Sequence, residues 1–345
     1  MTPPTVVALG ELLLRLKSPG HERLMQSPAL EATFGGTEAN VLMSLAEFGV
    51  STSYVTALPR NPLGDAAIGE LRRHRVATDH VIRAGERIGI YYLEGGAGHR
   101  SSRVVYDRAG SAMASVARDA FDWRVILDGA RWLHLSGITP AISESAAHVT
   151  LDAARIAHAA GLTVSCDYNF RASLWRWGRT APEVMRELMA YVHIGVAGRE
   201  DCQRVLGVPD VMDDHADGEP DPERYRALAQ RTMDLFPSLR AQVITLRSSH
   251  SATHNGWSAV MLDREDFHVS RRYEIGDIVD RVGAGDAFSA GLIYGLLQLA
   301  GPAQALEFAT AASCLKHTIH GDVNRVSVAE VEALLRGEAG GRVRR

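Results

Sequence analysis

Along the chain, short runs of apolar, often β-branched residues alternate with longer stretches in which apolar residues recur every three or four positions. Val6 to Leu9, Tyr54 to Ala57, Trp132 to Leu135, Leu162 to Cys166, Val192 to Val196 and Val243 to Leu246 read as buried strands. Ala39 to Phe48, Ser143 to Ala160, Ala181 to Ala190 and Glu223 to Phe236 read as helices, with Gly or Pro nearby as stops. This rhythm predicts an α/β fold of three layers, a mainly parallel central sheet flanked by helices on both faces.

Two regions break the rhythm. Residues 11–34 and 87–110 contain strand-like pieces, Leu12 to Leu16, Ile88 to Leu93 and Arg103 to Tyr106, with no helix between them. They are expected to pair as a small separate sheet, which is the natural form of a lid that closes over a substrate and excludes water. A sheet of this kind also offers an edge for pairing, so a homo-oligomer through the lid is expected. The stretch Val208 to Pro222 carries six acidic residues and three prolines and reads as a surface loop. Residues 1–338 read as one catalytic domain, and 339–345 as a frayed tail.

Composition narrows the function classes. The 345 residues are 46% hydrophobic and 23% charged, enough for a sizeable core. A net charge of -4 argues against a general nucleic-acid or membrane-surface binder, which leaves small molecules as the expected partners. Three scattered cysteines, Cys166, Cys202 and Cys314, form neither a disulfide framework nor a zinc spacing, and the amino terminus reads as a first strand, so a cytoplasmic setting is expected. His250 and His254 form a His-x-x-x-His pair in a polar, loop-like stretch, with surface roles as the default. Ala287 to Ala300 is nearly all apolar, but its 14 residues fall short of the roughly 20 of a membrane span.

The chemistry concentrates in Asp280-Arg281-Val282-Gly283-Ala284-Gly285-Asp286-Ala287-Phe288. A small-residue turn delivers a carboxylate to the start of an apolar helix, where glycines let backbone amides crowd an anion and the helix terminus adds unpaired donors. Phosphoryl transfer to a hydroxyl needs both elements, donors on the developing charge and a carboxylate near the attacking oxygen. Taken alone, the same residues also read as an ordinary N-cap after a flexible turn.

Asp280 to Gly291 closely resembles the carboxy-terminal signature of the ribokinase-type (PfkB) carbohydrate kinases, and Phe34-Gly35-Gly36-Thr37-Glu38-Ala39-Asn40-Val41 resembles their amino-terminal Gly-Gly…Asn motif. The resemblance runs from Val6 to Leu335 and implies a ribokinase-like fold using ATP and Mg²⁺, with a monovalent cation at the turn left open. It implies Asp286 as the general base, the amides of Gly283, Ala284 and Gly285 as the anion hole, and Gly35, Gly36 and Asn40 on the substrate. Tyr91, Tyr106 and Arg108, with Arg171 in Asp167-Tyr168-Asn169-Phe170-Arg171-Ala172-Ser173-Leu174-Trp175, resemble the sugar-acid contacts of 2-keto-3-deoxygluconate kinases. Singly, each arginine reads as a surface ion pair and each tyrosine as a strand aromatic, but guanidinium forks suit a carboxylate substrate.

Three departures stand out. The family's Asn-x-x-Glu segment is here Gly198-Arg199-Glu200-Asp201, which leaves Asp201 and Glu200 as the metal-side carboxylates. The nucleotide-contacting strand end, usually Lys-x-Gly-x-x-Gly, is Arg247-Ser248-Ser249-His250-Ser251-Ala252, so Arg247 and Ser248 take those places; Thr310 stands where Asn is common. The expected reaction is ATP-dependent phosphorylation of the terminal hydroxyl of a sugar acid, foremost 2-keto-3-deoxygluconate. The alternatives are a fructokinase or other neutral-sugar kinase and, in a different class, a catalytically weak sugar-acid-binding homologue. A dinucleotide oxidoreductase is disfavoured because the first strand leads into Gly10-Glu11-Leu12 and not a Gly-x-Gly-x-x-Gly turn.

Overall fold

The computed structural model describes residues 5–198, 200–209 and 221–338. Most of the acidic loop expected over Val208 to Pro222, and the tail over 339–345, lie outside the described residues.

The first strand, Val6–Leu9, is fully buried, and its side chains alternate between two cores: Val6 and Ala8 face one, Val7 and Leu9 the other. A strand buried on both faces needs helices on both. The first core is closed by helices Thr37–Glu47, Ala284–Gln298 and Pro302–Lys316, the second by Glu144–Ala159, Ala181–Met189 and Pro222–Leu235. The strands Val81–Arg83, Thr52–Leu58, Val6–Leu9, Trp132–Ser136, Thr163–Asp167, Ile194–Gly198 and Ala241–Ser251 run side by side and parallel, as the alternation predicts. Ligands of such sheets gather at the carboxyl ends of the strands.

Beyond Ala241–Ser251 the sheet turns antiparallel through His254–Asp263, which pairs with Phe267–Val269 and Tyr273–Ile275. The segment expected to be a loop around His250 and His254 is therefore the tip of a β-hairpin, its register slipping between Ser249 and Ser251. Its polar alternation is that of a ribbon with one face in solvent, which is easily mistaken for a loop.

The small sheet forms as expected, in the order Glu31–Gly35, Leu13–Lys17, Gly89–Glu94, Arg103–Asp107. Leu13, Tyr91 and Leu93 pack beneath it against Tyr106 and Val282, which ties the lid to the glycine turn. Among the described residues no helix is long and apolar enough to cross a membrane.

Candidate active site

A cleft of about 820 Å³ lies between the small sheet and the strand ends. The helix Ala284–Gln298 begins on its floor, with Gly283 as N-cap at φ 83°. That left-handed backbone favours glycine, and a Cβ there would meet the Asp322 carbonyl oxygen at 1.9 Å, so no side chain fits. The Ala284 amide is engaged by the Arg281 carbonyl at 3.2 Å; among the described residues the Gly283 and Gly285 amides have no partner and are the open donors of the turn.

Asp286 sits in the first turn of this helix and is buried. Burial pushes its carboxyl up to about 7, helped by the nearby charges of Asp322 and Glu38 and opposed by a bond from Asn40 and by Arg171. Asn40, on the helix that follows Gly35-Gly36, donates from Nδ2 to Asp286 Oδ2 at 2.7 Å. The amino- and carboxy-terminal motifs thus meet through one hydrogen bond. Gly35 allows close approach in its own way, since a Cβ there would meet Asp322 Oδ2 at 2.1 Å.

Asp322 joins a constellation with no sequence signature. Arg15, on the lid strand Leu13–Lys17, is buried between Asp280 and Asp322, while the Tyr91 hydroxyl donates to Asp322. The Asp280 carboxylate also accepts from the amides of Val282 (3.1 Å) and Gly321 (3.2 Å). The lid is therefore bonded directly to the turn that carries Asp286.

Arg108 is likewise committed. Its Nε donates to Glu11 Oε2 at 2.8 Å, Nη2 shares the same oxygen, and its guanidinium carbon lies 5.5 Å from the Tyr106 ring centroid. Glu11 Oε1 is buried and, among the described residues, has no hydrogen-bond partner.

Three guanidinium groups line the other end of the cleft. Arg171 is exposed and donates to the Phe170 carbonyl at 2.8 Å, whereas Arg281 donates to Ser251 O and to Asn255 Oδ1 at 2.9 Å. Burial and then the neighbouring Arg171 charge lower the Arg247 pKa, and burial and then Arg247 lower that of Arg281. Across from them, burial raises Asp167 and Asp201, with Asp167 pushed further by Asp201 and Asp286. Asp201 accepts from the amides of Gly198 (2.7 Å) and Phe170 (3.4 Å), and a Cβ at Gly198 would meet its Oδ2 at 2.9 Å.

Most sequence-derived site residues line this cleft: Gly35, Gly36, Asn40, Tyr91, Tyr106, Arg108, Arg171, Glu200, Asp201, Arg247 and the turn Gly283 to Asp286. Two do not. Ser248 falls out of it because strand alternation sends Thr245, Arg247 and Ser249 inward. The Thr310 hydroxyl is buried inside its own helix, bonded to the Leu306 carbonyl at 2.8 Å. Glu200, on the rim, is exposed and paired with Arg204 at 2.9 Å. Residues the sequence reading left out are Arg15, Glu38, Asp280, Arg281, His317 and Asp322. Arg281 and Asp280 flank the glycine turn in the motif itself, and the basic character of Arg281 was the available signal. His250 and His254 meet Glu274 on the exposed hairpin face, where Glu274 already takes Arg272 Nε at 2.8 Å.

Comparison with known proteins agrees with this geometry. The pfkB family carbohydrate kinase model matches residues 4–328. The 2-dehydro-3-deoxygalactonokinase of Haloferax volcanii is 31% identical over 96% of each chain, and the 2-dehydro-3-deoxygluconokinase of Thermoproteus tenax is 28% identical over 96% of this chain and 94% of its own. The crystal structure of the 2-dehydro-3-deoxygluconokinase of Thermotoga maritima superposes with a TM-score of 0.90 at 47% identity, covering 96% of this chain and 99% of its own. The chain belongs to the pfkB family of carbohydrate kinases.

Proposed function

We propose that this kinase transfers the γ-phosphoryl group of ATP to the terminal hydroxyl of a 2-keto-3-deoxy sugar acid, with 2-keto-3-deoxygluconate as the leading substrate. The chemistry rests on one observation: a buried carboxylate, Asp286, with a pKa near neutrality, shares a helix start with the open amides of Gly283 and Gly285. A base poised near the working pH accepts the hydroxyl proton as the bond to phosphorus forms. The two amides receive the charge that develops on the transferred group.

The acid substrate is supported by the arginines at the cleft and by the names of the relatives. Arg171 offers an exposed guanidinium, and Arg108 keeps its Nη1 amine outside the Glu11 pair. Tyr91 and Tyr106, with ring centroids 6.3 Å apart, form the apolar wall beside the acceptor.

Arg247 and Arg281 at the far end suit a polyphosphate, because an anion relieves the repulsion between them. The facing carboxylates Asp167 and Asp201 suit Mg²⁺, an oxygen-seeking ion held through one or two carboxylates and the phosphates. When bound, Mg²⁺ supplies neutralisation of the charge on the bridging phosphate oxygens. In this reading residues 1–338 act as one catalytic domain whose small sheet covers the acceptor. The lid's edge strand, with Val104 and Val105 about two-fifths exposed, supports pairing of two copies there.

The deciding experiment incubates purified protein with Mg-ATP and a panel of aldonic acids, 2-keto-3-deoxy acids and neutral hexoses. Turnover of the keto-deoxy acids with 6-phosphate products is expected. Turnover confined to neutral hexoses overturns the acid assignment. Sugar-acid binding with no ATP consumption, across several divalent ions, overturns catalysis.

A further inference from the structure

Lys316 ends the helix Pro302–Lys316 and is fully buried. Its ammonium lies behind the glycine turn, donating to the Asp280 carbonyl at 3.4 Å and the Ile319 carbonyl at 3.2 Å. Burial lowers its pKa, and the charges of Asp280 and Asp322 oppose that. An uncompensated ammonium would not survive such a place. Here the helix C-terminus, two carbonyl oxygens and two carboxylates all favour a cation.

The same surroundings define what else could sit there. A monovalent cation organising the turn would need these hard oxygen ligands. The residues present do not fit one, because Lys316 Nζ already occupies the position facing the Asp280 and Ile319 carbonyls. The nearest carboxylates are engaged as well: Asp280 and Asp322 are both held by Arg15 and both act on Lys316, and Asp286, the next carboxylate near the ammonium, accepts from Asn40.

The connection to the reaction runs through Asp280. Its carbonyl holds Lys316, and its carboxylate holds the amides of Val282 and Gly321 and the guanidinium of Arg15. The segment from His317 to Asp322 is laced to the turn at two more points, Val279 N to His317 O at 2.9 Å and the Asp322 carbonyl packed against Gly283. Whatever fixes Asp280 and Ile319 therefore fixes the direction of the Gly283 and Gly285 amides.

We propose that Lys316 is the resident cation of the anion-hole turn, a positioning residue whose ammonium takes the place of a monovalent ion, so that this kinase is independent of added K⁺ or Na⁺. The inference rests on the turn's role in the proposed reaction but not on which sugar acid is accepted.

The test compares initial rates in tetramethylammonium chloride with rates in KCl or NaCl at equal ionic strength, using whichever acceptor the substrate panel identifies. The wild type is expected to change by less than about two-fold, the scale of a nonspecific salt effect. A larger rise with K⁺ or Na⁺ overturns the proposal. Lys316→Ala opens the space and should lower kcat by about tenfold or more in tetramethylammonium, as expected for misplaced donors. K⁺ or NH₄⁺ should then restore part of the loss, which a merely structural defect would not allow. Unchanged kcat, or a loss that no cation relieves, overturns the proposal.

Where Lys316→Ala does not fold, Lys316→Met keeps the volume; it should lose kcat and leave the KM for the sugar near the wild-type value, and unaltered kcat there refutes the assignment. If no acceptor in the panel is turned over, Mg-ATP binding by calorimetry replaces the rate: equal affinity in both salts is expected, and affinity that requires K⁺ or Na⁺ overturns the proposal independently of the substrate reading.

Discussion

The two ends of the cleft are built on opposite electrostatic plans. At the lid end the groups around Asp286 are buried and already engaged: Arg15 with Asp280 and Asp322, Arg108 with Glu11, Asn40 on Asp286. At the other end Arg171, Arg247 and Arg281 crowd one another, and the Arg247 and Arg281 pKa values fall as burial and that crowding raise the cost of their charges. The first arrangement holds a reacting geometry fixed before substrate arrives. The second stores repulsion that an arriving anion relieves. With the sugar acid at the first end and ATP at the second, as proposed, the cleft divides precision on the acceptor side from electrostatic loading on the donor side.

The largest effect should come from breaking the matched end at its centre. Asp286→Asn keeps an oxygen for Asn40 Nδ2 but cannot take a proton, so kcat should fall by at least about 10²-fold while the KM for the acid stays near its original value. Steady-state kinetics decides it; near-normal turnover would remove Asp286 from the base role. Stability should move the other way. The native carboxyl keeps its proton up to about 7 while the unfolded chain loses it in the ordinary carboxylate range, so this group weakens folding as pH rises between the two. Melting at pH 8 should therefore be equal or higher in Asp286→Asn, and a clear drop in melting temperature would contradict the burial argument.

Arg108→Lys tests the matched end at its rim. A lysine keeps the charge but cannot hold Glu11 with one edge and a substrate with another, so the KM for the acid should rise by about tenfold, the value of one charge-assisted bond, with kcat little changed. An equal rise for a neutral sugar would mean that Arg108 only props up the lid. The pH profile is the comparable effect without mutation. The base must be ionised, so kcat/KM should be flat above about pH 7 and fall close to tenfold per unit below it. A flat profile down to about pH 5 would contradict an acid limb set by Asp286.

How much of this was legible beforehand follows the same division. The fold was readable because Val6 to Leu9 and its fellow strands are apolar on both faces, which only helices on both sides of a sheet satisfy. The glycine turn before Asp286 was readable because Gly283 admits no other residue, by backbone angle and by the Asp322 carbonyl against it. The Arg15, Asp280, Asp322 and Tyr91 cluster was not, since its members are separated by up to 307 positions and no spacing rule joins them. The hairpin over Ala241–Ser251 and His254–Asp263 was missed because Ala252-Thr253 lacks the Asn-Gly or Asp-Gly signature of a tight turn, and a polar ribbon resembles a loop. Ser248 and Thr310 lie off the cleft for a related reason: matching positions to a motif does not say which way a side chain points.

That last point yields the smallest and most discriminating test at the donor end. Arg247 lines the cleft, so Arg247→Ala should raise the KM for ATP by about five-fold, corresponding to roughly 1 kcal/mol for one charge on a phosphate, and the effect should shrink as salt is added. Ser248→Ala alters a hydroxyl on the opposite face, and Thr310→Ala removes one already spent on the Leu306 carbonyl. Both should leave the KM for ATP within about two-fold of the wild type, the range of substitutions that touch no ligand. Measured side by side, the three variants separate position in the motif from position in the cleft. If Ser248→Ala or Thr310→Ala weakens ATP as much as Arg247→Ala, the donor end is read by hydroxyl contacts, and its contrast with the preformed lid end fails.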